Sequence, residues 1–435
     1  MFASGSAQAE HRRMKEKEKP SMKINIFPLI FSAVCALCTA CSSPSQAAAS
    51  QTSSSPRADL VALQSGGVNW GASTQDGFYY VNTKARKDGS CNLMYADYKS
   101  EQIVYLCSQA NCTHDSASCT SYLMPTLGGI LPERVGDKII LFYINSSWSD
   151  EGEEPARVES INFDGSGRQI IHTFCPEETP CTTMVTDGQN IYFVLETVQE
   201  DSSVRKNLAK LDTLTGDLEL LQEMSVENSE FIWGCCGEDL IIYQCEMHDD
   251  YSISQVLRWN FISGSKESLY SWNASDYTPI LYEENLGFKG TDGYYHLLNL
   301  ESGNDFTFTQ YPISDSYLPS IMFADDSGII IRELIPTSKY TADSRFVSLK
   351  TDGSVEEWSL LSDEDGDKHP FTPVFDLNDE EYLVYIGYSD ESDRVIEDDG
   401  TSKFIEAPRR LYSIMSKSDF WNGKNIQHPL QYNVD

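Results

Sequence analysis

The sequence predicts an all-β fold, a β-propeller of about seven four-stranded blades with six or eight as alternatives, and three observations carry that expectation. A turn-punctuated hairpin recurs along the chain, its turn glycines stand at a near-constant period, and helical periodicity is almost absent after Asp59. The unit is most legible from Asp187 to Leu221. There Asp187-Gly188-Gln189-Asn190 launches the β-rich run Ile191–Leu195, and Leu208-Ala209-Lys210-Leu211 leads through Thr215-Gly216-Asp217 into a returning strand.

Aligned on that second turn are Phe163-Asp164-Gly165-Ser166, Leu214-Thr215-Gly216-Asp217, Ile262-Ser263-Gly264-Ser265, Glu301-Ser302-Gly303-Asn304 and Thr351-Asp352-Gly353-Ser354. Their glycines are spaced 51, 48, 39 and 50 residues apart. Weaker members at Tyr95–Ser100 and Tyr412–Lys417 bring the number to seven. Glycine in such turns supplies the positive φ of a tight hairpin without a Cβ clash. A sheet of four strands every 40–50 residues or so is the spacing of a propeller blade, and one blade cannot bury both its faces alone. A pair of β-sandwiches has a comparable strand content but lacks a repeated unit at this spacing. An N-terminal strand around Leu60 to Leu63 is expected to close the ring. The blade between Phe288 and Tyr311 is short, and the first and last blades carry insertions.

Ahead of the propeller (59–435) the chain divides into three short segments. Residues 1–21 are polar and charged and read as an extension upstream of a second start at Met22. Residues 22–40 have the form of a secretory signal, with Lys23, an apolar run from Ile26 to Leu37, and small residues before Cys41. That run is shorter than the ~20 residues a membrane-spanning helix needs. Leu37-Cys38-Thr39-Ala40-Cys41 resembles a bacterial lipobox, in which the cysteine after the cut carries the lipid, although Cys38 departs from the usual leucine. The alternative is an ordinary signal cut after Ala40. Residues 41–58 then comprise Cys41 and a Ser/Ala/Gln/Pro tether. These features predict a bacterial cell-membrane protein, anchored by lipid and facing away from the cytoplasm.

Charge narrows the partners. The full chain carries −34, and loss of residues 1–40 takes Lys+Arg from 32 to 26 and Asp+Glu from 66 to 63, a net −37. Such a field repels nucleic acid phosphates and favours cations or basic peptides.

Beyond Cys41 nine cysteines remain, an odd number that cannot all pair with one another. The densest chemistry is Cys107-x4-Cys112-x-His114-x4-Cys119, in the insertion of the first blade. Three thiols and an imidazole at this spacing suit one tetrahedral structural zinc, a disulfide with Cys91 taking another partner, or thiol redox chemistry. Cys175-Pro176-Glu177-Glu178-Thr179-Pro180-Cys181 reads as a short disulfide-closed loop, and Cys235 or Cys236 with Cys245 as a cross-strand bridge. Asp363, Asp365 and Asp367 offer alternate carboxylates for a weak calcium site, without the glycine and terminal glutamate of an EF-hand. Asp390-Glu391-Ser392-Asp393 and Glu397-Asp398-Asp399 read as solvated acidic loops.

The string Leu106-Cys107-x4-Cys112-Thr113-His114-Asp115-x3-Cys119, after a Tyr-x-Asp hairpin and a lipobox, resembles a widespread group of surface lipoproteins of gut Firmicutes. It is also similar to the propeller-like DUF5050-type surface proteins. The group often closes with Cys-x-Ala-Tyr, where this chain has Cys119-Thr120-Ser121-Tyr122. The resemblance implies a propeller and a surface location, and it brings no activity.

No phosphate loop, dinucleotide fingerprint, nucleophile elbow or metalloprotease helix occurs, so no catalytic residue is assigned and no cofactor is required. Two functions fit the sequence. One is a lipid-anchored binding module for a protein, peptide or glycan. The other is a surface glycoside hydrolase or lyase using carboxylates in the central funnel.

Overall fold

A computed structural model describes residues 59–434, apart from 64–70, 83–85, 87–88, 127, 146–154, 249–250, 275–277, 315–317, 339–340, 365–366, 390–391, 397–401 and 407–408. The expected signal, Cys41 and tether lie outside the described residues, as do Asp365 and most of the acidic residues of the loops near 390 and 398.

Seven antiparallel sheets follow one another along the chain: blade 1 (72–105), blade 2 (130–173), blade 3 (178–224), blade 4 (231–273), blade 5 (280–312), blade 6 (318–357) and blade 7 (372–429). Each pairs four strands in simple sequential order, and blade 7 carries a separate two-stranded hairpin (392–406) between its second and third strands. Fourth strands such as Ser265–Asn273 and Val355–Glu357 are largely exposed, whereas first strands of neighbouring blades lie against each other. First strands therefore line the axis.

Packing shows that the ring is complete. Seven separate apolar cores occur, one between each pair of neighbouring blades, and the last joins blade 7 to blade 1 through Phe78, Tyr80, Leu383 and Tyr412. Blade 3 illustrates how a strand serves two cores. In Asn190–Val198, Ile191, Phe193 and Leu195 pack towards blade 2 while Tyr192 and Val194 pack towards blade 4. Successive side chains point to opposite faces, so a strand buried on both sides reads as a continuous apolar run.

All five aligned glycines have positive φ, from +71° at Gly303 to +90° at Gly353. The polar residue opening several of these turns also has a defined task. Asp212 Oδ1 accepts from the amides of Leu214 and Thr215, Asn260 Oδ1 from Ser263, and Asn299 Oδ1 from Ser302. Two of the glycines make a testable pair. A Cβ at Gly353 meets open space, so Gly353→Ala is expected to cost only the left-handed backbone penalty, about 1–2 kcal/mol. A Cβ at Gly216 would lie 2.0 Å from the carbonyl oxygen of Ile171 in blade 2. Denaturant unfolding should show Gly216→Ala as the clearly more damaging change; equal losses would contradict the packing of this turn on its neighbour.

Ring closure differs from expectation. Val61–Ala62 does not complete an outer blade edge but pairs antiparallel with the axial edge of blade 3, opposite Thr186 and Val185. Leu60 and Leu63 anchor it in the cores on either side of that blade. Closure is made instead by the C-terminus, where Gln431–Tyr432 pairs in parallel with Gln102 and Ile103 on the outer strand of blade 1.

Candidate functional site

Two places concentrate chemistry. The first is the insertion between blades 1 and 2, which the sequence singled out. Its ends are pinned at one residue: Leu106 N donates to Leu93 O (3.0 Å) and Leu93 N donates to Ser121 O (2.8 Å). Between these anchors residues 107–118 contain no buried side chain. They form a compact loop whose chain ends meet, with little apolar burial to hold it.

Within the loop the structure brings together the four residues that the spacing predicted. The donor atoms of Cys107, Cys112, His114 and Cys119 all lie within 4.8 Å of one another, and this cluster could bind a metal ion. His114 Nδ1 faces Cys119 Sγ at 3.3 Å, Ser121 Oγ lies 3.0 Å from the same sulfur, and Gln109 N donates to Cys107 Sγ at 3.4 Å. Asn111 and His114 adopt positive φ (+56° and +59°), which folds the loop back on itself. Below it the Tyr105 ring stacks on the imidazole at 4.5 Å, and the His114 carbonyl accepts from Arg86 Nη2 (2.6 Å) and Asn92 Nδ2 (3.0 Å). Burial acts upward on the Cys107 thiol, but donors led by the Gln109 amide hold it below the usual thiol value. At Cys112 the His114 amide acts downward, while desolvation and the sulfurs of Cys119 and Cys107 push it up to about 11. Burial and the Arg86 charge lower the His114 imidazole. Crowded sulfurs thus resist carrying negative charge together.

All nine described cysteines are free thiols, so the disulfides expected from the sequence are not formed. Register explains one case. Cys235 pairs with Leu240, which places Cys245 five residues further along that strand, roughly 16 Å away and beyond any disulfide's reach. Cys235 and Cys236 face opposite cores, as neighbours on a strand must. Cys181 is turned into the core between blades 3 and 4, while Cys175 is exposed. Cys91 is buried with Leu93 and Leu123, and desolvation raises its thiol to about 11. The calcium expectation finds no cluster among the described residues: Asp363 sits on a hairpin strand opposite Lys368, and Asp365 lies outside them.

The second place was not picked out by sequence. A cavity of about 680 Å³ is lined by residues 59–62, by turn residues of blades 4 and 5, and by Val374 and Phe375 of blade 7. Only the axis lies between those blades, so this is the central funnel, partly filled by the N-terminal strand. Its wall carries Asp59, Glu238, Asp239, Glu283, Glu284 and Glu301 against one cation, Arg258. Arg258 is turned to the Leu300 carbonyl, and among the described residues no cation pairs with Glu238, Glu283, Glu284 or Glu301.

Behind the funnel wall Tyr282 donates to Asp376 Oδ1 (2.9 Å), Trp421 Nε1 donates to Asp325 Oδ2 (3.2 Å), and Lys417 pairs with Asp376. Desolvation, reinforced by Asp376 and Glu284, pushes the Glu283 carboxyl up to about 8, although its side chain reaches solvent in the cavity. Desolvation raises half-buried Asp325 to about 6. Both groups hold protons in the folded state that the unfolded chain has released. Their contribution to stability is therefore present in acid and fades as pH rises, up to about 8 for Glu283. Glu283→Gln should flatten the fall in Tm between pH 5 and 8.5 relative to wild type. A parallel pair of Tm–pH curves would show that Glu283 is not perturbed.

No protein-family model matches the chain, and no curated protein matches it. Among solved structures it is similar to an oligogalacturonate lyase from Vibrio parahaemolyticus (14% identity, TM-score 0.43, 81% of this chain and 91% of that one). It is also similar to the β-propeller domain of the Trilobed protease from Pyrococcus furiosus (12% identity, TM-score 0.35, 66% and 89%). A third likeness is TolB from Acinetobacter baumannii (12% identity, TM-score 0.27, 68% and 62%). At these identities and TM-scores the likenesses assign no chemistry to this chain. Its seven blades rest on its own strand pairing, and no family is assigned.

Proposed function

We propose that the chain is a lipid-anchored, extracytoplasmic binding module that takes a cationic ligand, a lysine- or arginine-bearing peptide segment, into the axial funnel. The observation that carries this reading is the unpaired acidity of the funnel wall, with Glu238, Glu284 and Glu301 converging on a cavity whose described lining holds one cation. A concave acidic site with low-dielectric walls focuses its field and draws in positive charge. The anchoring part of the reading is supported by Leu37–Cys41 and the polar stretch behind it, a tether that would hold the propeller away from the membrane. Of the aromatic rings near the funnel, Tyr282, Tyr382 and Trp421 are buried in the core between blades 6 and 7, while Phe375 on the cavity wall is half-buried.

An array of peptides and glycans probed with the whole chain tests the reading. Retained probes should be enriched in Lys and Arg; retention of neutral glycans alone would overturn it. Glu283 supports the second reading, a glycoside hydrolase or lyase, because a carboxyl protonated near neutrality can act as a general acid. Turnover of a polysaccharide panel that is lost in Glu283→Gln would replace the binding module with that enzyme.

A further inference from the structure

We infer that Cys107, Cys112, His114 and Cys119 form a structural zinc site that holds the insertion of blade 1 in its fold. The inference is independent of the funnel and shares no residue with it. A disulfide requires two sulfurs and would leave the third thiol and the imidazole without a reason to converge, yet all four donors lie within 4.8 Å of one another. Tetrahedral zinc, with Zn–S near 2.3 Å and Zn–N near 2.0–2.1 Å, sets its ligand atoms about 3.5–3.8 Å apart. The 3.3 Å between His114 Nδ1 and Cys119 Sγ is close to that spacing.

Three further observations agree. His114 holds a left-handed φ of +59°, a backbone state unfavourable for a residue with a Cβ, and this conformation aims its ring at the sulfurs. Residues 107–118 bury no side chain, so the loop has no apolar core of its own and is held by polar contacts, to which a metal cross-link would add. Neighbouring groups complete the surroundings of a metal site: Gln109 N and Ser121 Oγ approach two of the sulfurs, and Tyr105 stacks on the imidazole.

Thiolate and imidazole donors select zinc over hard cations such as calcium or manganese. Binding replaces up to three S–H bonds with three Zn–S bonds and releases those protons to solvent, with no change of oxidation state. The resulting site carries a net charge of −1, and Arg86, bonded to the His114 carbonyl, supplies the counter-charge. Four protein ligands leave no open position, so the site is structural rather than catalytic.

The test uses the full-length chain purified with reductant and zinc, then challenged with a chelator. Elemental analysis should find about one zinc per chain, and the fraction retained should fall roughly tenfold or more in Cys112→Ser and in His114→Ala. Both changes lie on the partly exposed loop and spare the buried Cys119. Cys245→Ser, remote from the loop, should keep wild-type zinc. Cobalt substitution should give tetrahedral bands with thiolate charge transfer in the wild type only. Zinc that neither variant alters overturns the inference, as does a zinc-free chain whose Cys107, Cys112 or Cys119 is found in a disulfide.

Discussion

Phe420→Ala is expected to lower the unfolding free energy by about 3–5 kcal/mol, one of the two largest single-residue losses anticipated in the chain. Phe420 is fully buried on α1 (Lys417–Trp421), the one helix among the described residues. Its ring meets Trp358 at 4.8 Å, Tyr382 at 5.3 Å and Phe323 at 5.9 Å, so it links blade 6 to blade 7. Truncation removes that burial and leaves a cavity that these three rigid aromatic neighbours cannot collapse to fill. Equilibrium denaturation checks the magnitude; a loss under about 1 kcal/mol would mean that the helix is peripheral to the ring.

The second large effect is expected at Glu159. Its carboxylate is nearly inaccessible and accepts from Arg157 Nε (2.8 Å) and Arg168 Nε (2.6 Å). Arg168 also donates to the carbonyls of Thr120 (3.1 Å) and Tyr122 (2.6 Å), which ties the cysteine insertion to blade 2. Glu159→Ala leaves two guanidinium groups without their shared anion and is expected to cost about 3–5 kcal/mol. Limited proteolysis should then cut within 107–120 before any other described loop. If the insertion stays as resistant as in wild type, Arg168 holds it without help from Glu159.

These residues also show where the sequence was legible. Blade period was readable because the third strand of each of blades 2 to 6 ends in a turn with a positive-φ glycine, and only a few residue types supply that conformation. Cys107, Cys112, His114 and Cys119 were readable because their ligands come from one short loop, where sequence spacing limits distance in space. The helix was harder. Ser416-Lys417-Ser418-Asp419 is a capping pattern, with Asp419 N donating to Ser416 Oγ (3.0 Å), but a single turn leaves no periodicity to detect.

Strands of two residues carry no alternation at all. The segment around Leu60 to Leu63 therefore reads as a closing strand although it pairs with blade 3, and the parallel clamp at Gln431–Tyr432 leaves no pattern in the sequence. The funnel was hidden for a different reason. Among 66 acidic residues nothing local distinguishes Glu238, Glu283 and Glu301 from those on the outer surface. Their grouping is made by blades far apart in sequence.

Calorimetric titration of penta-lysine into the full chain, repeated with Glu238→Gln/Glu301→Gln, tests the acidic funnel most directly. Wild type should bind near one peptide per chain, with affinity that weakens as salt rises, and the double variant should lose at least tenfold. Equal affinity in both proteins, or binding indifferent to salt, would contradict a cation-binding funnel.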